Sequence, residues 1–305
     1  MGRSKPNLIH NPCFKLEDQM EVSVVVPVYN EQHMIKETID TIKESFKGSE
    51  IRYEIIAVED GSSDDTWEVL SAIEDIIIIR NKKNSGYGYS IKKGMKVAKY
   101  KNIFITDADG TYPNERMPEF VCYFHDNNLD MLVGRRDRKN IPLIRRPPKA
   151  FLRKFASYIS GFDIPDLNSG FRMFRKDYAI AFSKMLPDGF SLTSTITLSF
   201  FSEKLDIDYV PIKYGKREGK SKIRPIKDTM AFFHLIWKTV FYFNPLKIFL
   251  PLSILLFLSA LGIFSYSFFK LEKVMDITTI VLLLTSVQIF CIGLVADLIV
   301  KRGNI

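Results

Sequence analysis

The sequence predicts an α/β protein with a mostly parallel sheet and helices on both faces, followed by a two-helix membrane hairpin. Three observations support this fold class. Apolar, β-branched segments alternate with segments of helical spacing over residues 1–223. Two long segments follow that are uncharged except for Lys247 and Asp297 near their ends, and a basic run precedes them. With 46% hydrophobic and 26% charged residues among 305, the composition is that of a folded chain.

Strands and helices alternate in the first part of the chain, which is typical of a sheet with helical crossovers. The segment EQHMIKETIDTIKESF (31–46) has helical spacing, and GYSIKKGMKVAKY (88–100) does too. Residues 191–201 suit either a helix or a strand. Four strands are expected, at 21–30 (EVSVVVPVYN), 53–60 (YEIIAVED), 76–81 (IIIIRN) and 102–110 (NIFITDADG).

The last third of the chain predicts two transmembrane helices, at about 246–269 and 277–300. Each segment is about as long as the roughly 20 residues that a bilayer-spanning helix needs. A seven-residue polar link, KLEKVMD, joins them and is too short to hold a domain. The alternative, a pair of buried core helices, is disfavoured because two such segments follow one another so closely.

The basic residues predict which side of the membrane the large domain occupies. They precede the hairpin in 213–227 and follow it at Lys301 and Arg302, whereas the link offers only Lys270 and Lys273. The positive-inside bias therefore predicts a cytoplasmic domain and two cytoplasmic termini. We divide the chain into an N-terminal extension (1–20), a catalytic domain (21–223), a juxtamembrane segment (224–245) and the hairpin (246–300).

The juxtamembrane and N-terminal segments carry further expectations. Residues 228–245, with Trp237 and Tyr242, suit a helix in the membrane interface, although a core-facing helix of the soluble domain is the alternative. Residues 1–20 contain no apolar stretch typical of a secretory signal.

Charge and cysteine content narrow the function classes. A formal charge of +8 suits an anionic partner such as nucleic acid, a membrane surface or a phosphorylated substrate. The positive charge is concentrated beside a membrane segment, so we expect no nucleic-acid partner. Cys13, Cys122 and Cys291 are scattered and form no C-x-x-C pair, which disfavours a disulfide framework or a zinc site.

An acidic pair ends the fourth predicted strand, in FITDADGT (104–111). In open α/β sheets, ligands bind beyond the carboxyl ends of the strands, so Asp107 and Asp109 are expected at the mouth of a site. Closely spaced carboxylates suit Mg²⁺ or Mn²⁺, which readily bridge substrate phosphates. No G-x-G-x-x-G follows the first strand, and no Walker A motif is present. A nucleotide held through metal-bridged phosphates is the better interpretation.

An ordered set of motifs resembles the family 2 glycosyltransferases of GT-A fold. Residues 209–225 (YVPIKYGKREGKSKIRP), followed by a hairpin, resemble more narrowly the polyprenyl-phosphate glycosyltransferases, the dolichyl-phosphate mannose synthase group. No Q-x-x-R-W signature of processive polysaccharide synthases is found. The ordered motifs are VVVPVYNE (24–31), VEDGSSDDT (58–66), NSGYGYSIKKGMKVA (84–98), DADG (107–110), GRR (134–136) and DLNSGFR (166–172).

The resemblance implies a Rossmann-like GT-A domain that inverts the anomeric centre while moving a hexose from GDP-mannose or a UDP-hexose to polyprenyl or dolichyl phosphate. It implies a metal on Asp107 and Asp109, with Asp109 also counted as catalytic. Acceptor-phosphate contacts are implied for Arg136, Arg153 and Ser157. The remaining donor and nucleotide contacts are implied for Pro27, Asn30, Glu31, Asp60, Arg217, Ser221 and Lys222.

Two points stay open within this interpretation. Asp166 is the candidate general base if one operates; otherwise it anchors its loop or pairs with Arg172. The family's usual D-D-G-S reads Glu59-Asp60-Gly61-Ser62, and Gly110-Thr111 follows the acidic pair where many relatives carry Leu and then Ser or Gln. That second departure leaves a third metal ligand unassigned.

Two other functions remain as alternatives. One is a membrane-anchored glycosyltransferase that uses a hydroxyl acceptor, such as a lipid-linked sugar. The other is a non-catalytic membrane scaffold, which predicts loss of the acidic pair or of the loop cations, whereas both are intact. The expected partners are a nucleotide sugar, a polyprenyl phosphate, membrane lipid and further copies of the chain in a dimer or tetramer.

Overall fold

The computed structural model describes residues 20–136, 164–215, 245–270 and 277–303. The chain divides into two compact units, of which one contains the sheet and the other contains the two C-terminal helices. The strands are β1 (Glu21–Val28), β2 (Arg52–Glu59), β3 (Ile77–Arg80), β4 (Asn102–Ile105), β5 (Met131–Arg136), β6 (Arg172–Arg175) and β7 (Ile207–Ile212). The helices are α1 (Ile35–Phe46), α2 (Thr66–Ser71), α3 (Tyr87–Val97), α4 (Met117–Asp126), α5 (Lys176–Ala181), α6 (Leu192–Ser202), α7 (Leu246–Lys270) and α8 (Ile277–Gly303), with a 3₁₀ turn at Asn114–Arg116.

The described strands form one sheet of seven, in the order β3-β2-β1-β4-β6-β5-β7. The pairs β1–β2, β1–β4, β2–β3 and β5–β7 are parallel, whereas β6 is antiparallel to both β4 and β5. The predicted α/β class with a mostly parallel sheet is therefore confirmed, and each of the four predicted strand segments contains a strand.

Successive side chains of β1 point to opposite faces of the sheet, and the valines on both faces are buried. Helices therefore cover both faces. On one face, the valines at even positions of β1 join a core cluster with Ile35, Ile39 and Ile42 of α1. On the other face, α3 lies so close that a methyl group at Gly94 would stand 2.5 Å from Val25 Cγ1 and 3.3 Å from Val58 Cγ2. Covering both faces leaves the ends of the strands as the accessible part of the sheet.

The helices α7 and α8 occupy the two predicted membrane segments. Both are long and apolar enough to cross a membrane, with a mean hydropathy of 2.3 in Leu246–Phe269 and in Ile277–Ile299. Only 11% and 17% of their apolar windows are buried, which argues against core helices of a globular domain. Most of the predicted juxtamembrane helix, 224–245, lies outside the described residues, which resume at Pro245.

The sequences of α7 and α8 suit apolar surroundings, because a small residue lets the two helices pack closely and serine hydroxyls bond to carbonyls of their own helix. A methyl group at Gly293 would stand 2.6 Å from Phe249 Cβ, so glycine permits close packing of the two helices there. The hydroxyls of Ser253 and Ser286 donate to the carbonyls of Leu250 and Leu283, at 2.9 and 2.7 Å. These bonds satisfy polar groups that hydrocarbon would leave without partners.

Candidate active site

Four parallel strands end at the same edge of the sheet, and the loop before β6 lies there as well. Strands β1, β2, β4 and β5 end at Val28, Glu59, Ile105 and Arg136. Strand β6 runs the opposite way and begins at Arg172, whose register partners are Ile105 and Val133. The predicted site residues that this edge brings together are Asn30, Glu31, Asp60, Asp107, Asp109, Arg136 and Asp166.

Neighbouring hydroxyl groups hold both members of the acidic pair. The Tyr87 hydroxyl donates to Asp107 Oδ1 at 3.0 Å. The buried Asp109 accepts at Oδ1 from the Thr111 hydroxyl at 2.6 Å and from the Thr111 N–H at 3.2 Å. The turn from Asp109 to Thr111 requires a glycine at position 110. Gly110 has φ +68°, and a methyl group there would stand 2.5 Å from Met34 Cε. Gly110 therefore permits the acidic turn, and Thr111 caps it.

Two tyrosines that the sequence interpretation did not single out line this region. Burial, and next the charge of Asp107, raise the pKa of the Tyr87 phenol well above its ordinary value. Burial also raises the pKa of Tyr112, with Arg136 opposing the shift. The Tyr112 oxygen accepts a hydrogen bond from the Gly170 N–H at 2.7 Å. Both phenols therefore stay protonated at neutral pH.

The carboxylate of Asp60 holds the loop that follows β3. Its Oδ1 accepts from Asn81 Nδ2 at 2.7 Å and from the Ser85 N–H at 2.9 Å, and its Oδ2 accepts from the Gly86 N–H at 2.8 Å. Asp60 is 3% exposed. Its predicted contact with the base of a nucleotide stays a prediction, but these three bonds give it a structural role.

The side chain of Glu59, the first residue of the Glu59-Asp60-Gly61-Ser62 motif, is bound on both of its oxygens. Its Oε1 accepts from the Ser62 N–H at 2.5 Å, and its Oε2 lies 3.3 Å from Arg80 Nε. The side chain is fully buried, so the ion pair with Arg80 neutralises a charge that burial would otherwise disfavour.

The turn after β1 is fixed to the loop after β2. Asn30 has φ +51°, its N–H donates to Ser62 Oγ at 3.0 Å, and its Oδ1 accepts from the Ser63 N–H at 2.8 Å. The Glu31 N–H donates to Thr66 Oγ1 at 2.9 Å. Pro27 lies within β1, in register with Val58. Their predicted contacts with the nucleotide remain predictions.

Arg136 and Asp166, which were predicted separately, form a two-pronged ion pair. Arg136 Nε donates to Asp166 Oδ2 at 2.8 Å, and Nη2 donates to Oδ1 at 2.9 Å. The backbone N–H groups of Arg136 and Asn168 add two more bonds to the carboxylate, at 3.2 and 3.1 Å.

Burial alone would raise the pKa of Asp166, but Arg136 and these hydrogen bonds outweigh it and lower that pKa. Burial opposes the charge of Arg136 as well, yet the charge of Asp166 and its hydrogen bonds raise the pKa of the guanidinium. The pair is therefore charged at neutral pH.

Arg172, the alternative partner of Asp166, lies fully buried beneath the same loop. Its Nε donates to the Ser169 carbonyl at 2.8 Å, and Nη1 donates to the Thr193 carbonyl at 2.8 Å. Burial lowers its pKa. The arginine of DLNSGFR thus fastens the loop through backbone oxygens, while Asp166 pairs with Arg136.

Five further predicted residues lie outside the described part of the chain. They are Arg153, Ser157, Arg217, Ser221 and Lys222.

The donor chemistry at the edge fits a divalent cation that arrives with phosphate. Asp107 and Asp109 offer carboxylate oxygens, which Mg²⁺ and Mn²⁺ prefer. Within the described ranges, no group of three or more His, Cys, Asp or Glu side chains is arranged to hold a metal. Mg²⁺ is commonly bound through one or two carboxylates plus substrate phosphates, and two carboxylates match that mode.

The acidic turn lies beyond the carboxyl end of β4, at the edge where open α/β sheets bind their ligands. The model of the family described as "Glycosyl transferase family 2" matches residues 23–182, so the chain belongs to that family. A second model, "GtrB C-terminal hairpin", matches residues 244–301. The resemblance read from the motifs is confirmed.

Curated relatives are similar over about two thirds of this chain. "Low-salt glycan biosynthesis hexosyltransferase Agl6" of Haloferax volcanii is 29% identical over 68% of this chain and 51% of its own length. "Dolichol-phosphate mannosyltransferase" of Pyrococcus furiosus is 30% identical over 67% of this chain and 60% of its own. "Dolichyl-phosphate hexose transferase" of Haloferax volcanii is 26% identical over 67% of this chain and 87% of its own length. The chain thus spans little more than half of the first two.

A solved structure confirms the GT-A fold. Glucosyl-3-phosphoglycerate synthase from Mycobacterium tuberculosis, in complex with Mn²⁺, UDP-glucose and phosphoglyceric acid, superposes with a TM-score of 0.56. The match covers 72% of this chain and 80% of the other at 15% identity, so the likeness concerns the fold.

Proposed function

We propose that this glycosyltransferase moves a hexose from a nucleoside-diphosphate sugar to a polyprenyl phosphate, with inversion at the anomeric carbon. The product is a polyprenyl-phosphate sugar, and the donor is GDP-mannose or a UDP-hexose. The names of two relatives, a dolichol-phosphate mannosyltransferase and a dolichyl-phosphate hexose transferase, support this acceptor class. The hairpin match supports a substrate that resides in the membrane.

The observation that carries the proposal is that the acidic turn and Arg136 lie at the same edge of the sheet. The acidic turn with Asp107 and Asp109 follows β4, and the ion-paired Arg136 ends β5. The first can hold the diphosphate of a donor through a cation, and the second can donate to a phosphate acceptor through the guanidinium N–H groups that Asp166 does not accept. Strand β6 separates β4 from β5, so the two substrates would meet in front of it.

On the donor side, Asp107 and Asp109 would hold Mg²⁺ or Mn²⁺. When bound, the cation supplies positive charge that stabilises the departing nucleoside diphosphate. The Thr111 hydroxyl would hold the Asp109 carboxylate in place before the substrate arrives, so that less reorganisation is needed at the moment of reaction. Arg217, Ser221 and Lys222 are proposed to close over the same phosphates.

On the acceptor side, a phosphate oxygen would attack C1 while the bond from C1 to the donor diphosphate breaks. One displacement transfers the sugar, inverts C1 and releases the nucleoside diphosphate. A phosphate monoester has a second pKa of about 6, so at neutral pH it is already the anion that attacks. Arg136, with Arg153 and Ser157, is proposed to bind that phosphate.

The Arg136–Asp166 pair favours a phosphate acceptor over a hydroxyl acceptor. A hydroxyl group needs a general base, and efficient bases have a pKa near the working pH. Because Arg136 lowers the pKa of Asp166, this carboxylate is a weak base. A polyprenyl phosphate requires none, so the site as built suits it better.

The membrane part gives the proposed reaction its location. We propose that the hairpin holds the catalytic domain at the cytoplasmic face, where a polyprenyl headgroup is accessible, with both termini on that side. The basic run 213–227 would face anionic lipid, and each Lys or Arg near such a surface contributes about 1 kcal/mol.

The full-length protein, purified in detergent, tests the proposal. It is incubated with Mn²⁺ or Mg²⁺, a short polyprenyl phosphate and a panel of GDP- and UDP-sugars. Nucleoside diphosphate release and the mass of the lipid product are measured. We expect one donor to give a glycosyl phospholipid, with loss of product in Asp109→Asn and after chelation of the metal.

Asp126→Asn, at the C-terminal end of α4, is the matched control for removal of a carboxylate. It should leave the rate unchanged. Transfer that persists in Asp109→Asn would contradict the role of the acidic pair. Turnover of the donor only with a hydroxyl acceptor would contradict the acceptor class.

A further inference from the structure

Tyr87 connects two parts of the site that lie far apart in the sequence. It is the first residue of α3, directly after Gly86, and its hydroxyl reaches Asp107 Oδ1 at 3.0 Å. Gly86 itself donates its N–H to Asp60 Oδ2 at 2.8 Å. The start of α3 is therefore fixed on one side by Asp60 and reaches the acidic turn on the other.

The ring of Tyr87 is held in place by the segment 187–190. Phe190 stacks on it with ring centroids 5.4 Å apart and an interplanar angle of 21°. The Tyr89 N–H donates to the Asp188 carbonyl at 3.0 Å, and Lys92 Nζ pairs with Asp188 Oδ1 at 2.6 Å. This segment also passes so close that a methyl group at Gly88 would stand 2.2 Å from the Pro187 carbonyl oxygen. The stacking on Phe190 restrains the ring of Tyr87, and the other contacts hold the start of the helix from which the ring projects.

Gly170, in the loop before β6, packs directly on the Tyr87–Asp107 pair. A methyl group there would stand 2.8 Å from Asp107 Oδ1, 3.0 Å from the Tyr87 oxygen and 3.1 Å from Asp107 Oδ2. No other residue type has room at this position while the pair keeps its geometry. The hydrogen bond is therefore enclosed by the loop that also carries Asp166.

We propose that Tyr87 is a positioning residue for the metal site, in which its hydroxyl holds the Asp107 carboxylate in the orientation that binds the cation of a nucleoside diphosphate. This inference rests on the proposed function, because it assumes the cation between Asp107, Asp109 and the diphosphate. Outer partners of metal ligands fix the orientation of those ligands, and their loss typically weakens metal binding about 10- to 100-fold.

The test is a titration of Mn²⁺ by electron paramagnetic resonance in the presence of UDP or GDP, which needs no turnover. The full-length protein is compared with Tyr87→Phe, which removes one oxygen and keeps the ring on Phe190. We expect Mn²⁺ to bind Tyr87→Phe about 10-fold more weakly. Tyr89→Phe is the matched control, since Tyr89 lies two residues further along α3 and is 40% exposed. It should bind like the wild type.

Gly170→Ala supplies a second, independent variant. Its methyl group would displace the ends of two side chains rather than any backbone, so the variant should fold while the Tyr87–Asp107 bond is broken. We expect weakened Mn²⁺ binding here too, with a thermal midpoint close to that of the wild type. Because this methyl group presses on the Asp107 carboxylate as well as on Tyr87, the variant tests whether Mn²⁺ binding depends on the orientation of Asp107, and Tyr87→Phe tests the hydrogen bond itself.

The outcomes separate this inference from the proposed function. Wild-type Mn²⁺ affinity in Tyr87→Phe, together with lost binding in Asp107→Ala, would overturn the role of Tyr87 alone. Unchanged binding in Asp107→Ala would overturn the metal site and this inference with it. Intact Mn²⁺ binding without transfer to any lipid phosphate would refute the proposed reaction but leave the positioning role supported.

Discussion

Replacing Asp166 by alanine should destabilise the sheet unit, because it leaves Arg136 without its carboxylate partner. The carboxylate accepts four hydrogen bonds, of which two come from the guanidinium. The two side chains are 12% and 27% exposed, so the pair lies between a buried and a surface ion pair. Removing one partner of a buried pair costs about 3–5 kcal/mol, and surface pairs contribute about 0–1 kcal/mol. We therefore expect a loss of about 2–3 kcal/mol.

The assay is thermal unfolding of the full-length protein in detergent at one fixed scan rate. For a domain of 150–250 residues, 1 kcal/mol corresponds to about 2–4 °C, so Asp166→Ala should melt about 4–12 °C lower. Asp166→Asn, which keeps one acceptor oxygen, should lose about half as much. The double variant with Arg136→Gln should lose less than the sum of the single variants. A midpoint of Asp166→Ala within 1 °C of wild type would refute the reasoning.

The same pair predicts a pH dependence with a definite sign. Arg136 lowers the folded-state pKa of Asp166 below its unfolded value of about 3.9. The stabilisation is then fully present above that value and is lost as the pH falls through the folded-state pKa. The difference in melting midpoint between wild type and Asp166→Ala should stay constant from about pH 8 to pH 5 and shrink only below about pH 4. A difference that shrinks near pH 6 would contradict the assignment.

Two further variants test the core and the acidic turn. Gly94→Ala should destabilise by about 1–3 kcal/mol, because its methyl group would stand 2.5 Å from Val25 Cγ1 inside a packed core; thermal unfolding checks this. Gly189→Ala, with nothing within 4 Å, is its control and should be neutral. Thr111→Ala should raise the Mn²⁺ concentration needed for half-maximal transfer about 10-fold, because Asp109 loses its hydroxyl donor, whereas Thr111→Ser should retain wild-type dependence.

The first half of the sheet and the hairpin could be predicted because their sequences carry strong local signals. Strand β1 is rich in β-branched residues, and α7 and α8 are long and strongly apolar, with a mean hydropathy of 2.3. The strands β5 to β7 give weaker signals. Strand β6 has four residues, RMFR, and begins with a buried arginine, while β7 contains Pro211. Their pairing depends on register with distant segments, which a single sequence does not reveal.

In the candidate site, too, some residues could be predicted from the sequence and others could not. Asp107 and Asp109 were predictable because two carboxylates directly after an apolar strand have one obvious place in an α/β sheet. The partners of these carboxylates were not all predictable. Tyr87 lies 20 residues before Asp107, and Arg136 lies 30 residues before Asp166. A tyrosine at the start of a helix has no local signal that distinguishes a metal-site partner from a core residue, so the fold was needed to identify it.

The central claim, transfer to a lipid phosphate, is tested most directly by a competition between two acceptors that differ only in that group. The full-length protein receives the donor that it turns over, Mn²⁺, and equal amounts of a polyprenyl phosphate and the corresponding polyprenol. The products are separated and identified by mass and by anomeric configuration. We predict only the glycosyl phosphate, with the anomeric configuration inverted relative to the donor. A glycosylated polyprenol, or retention of configuration, would contradict the account.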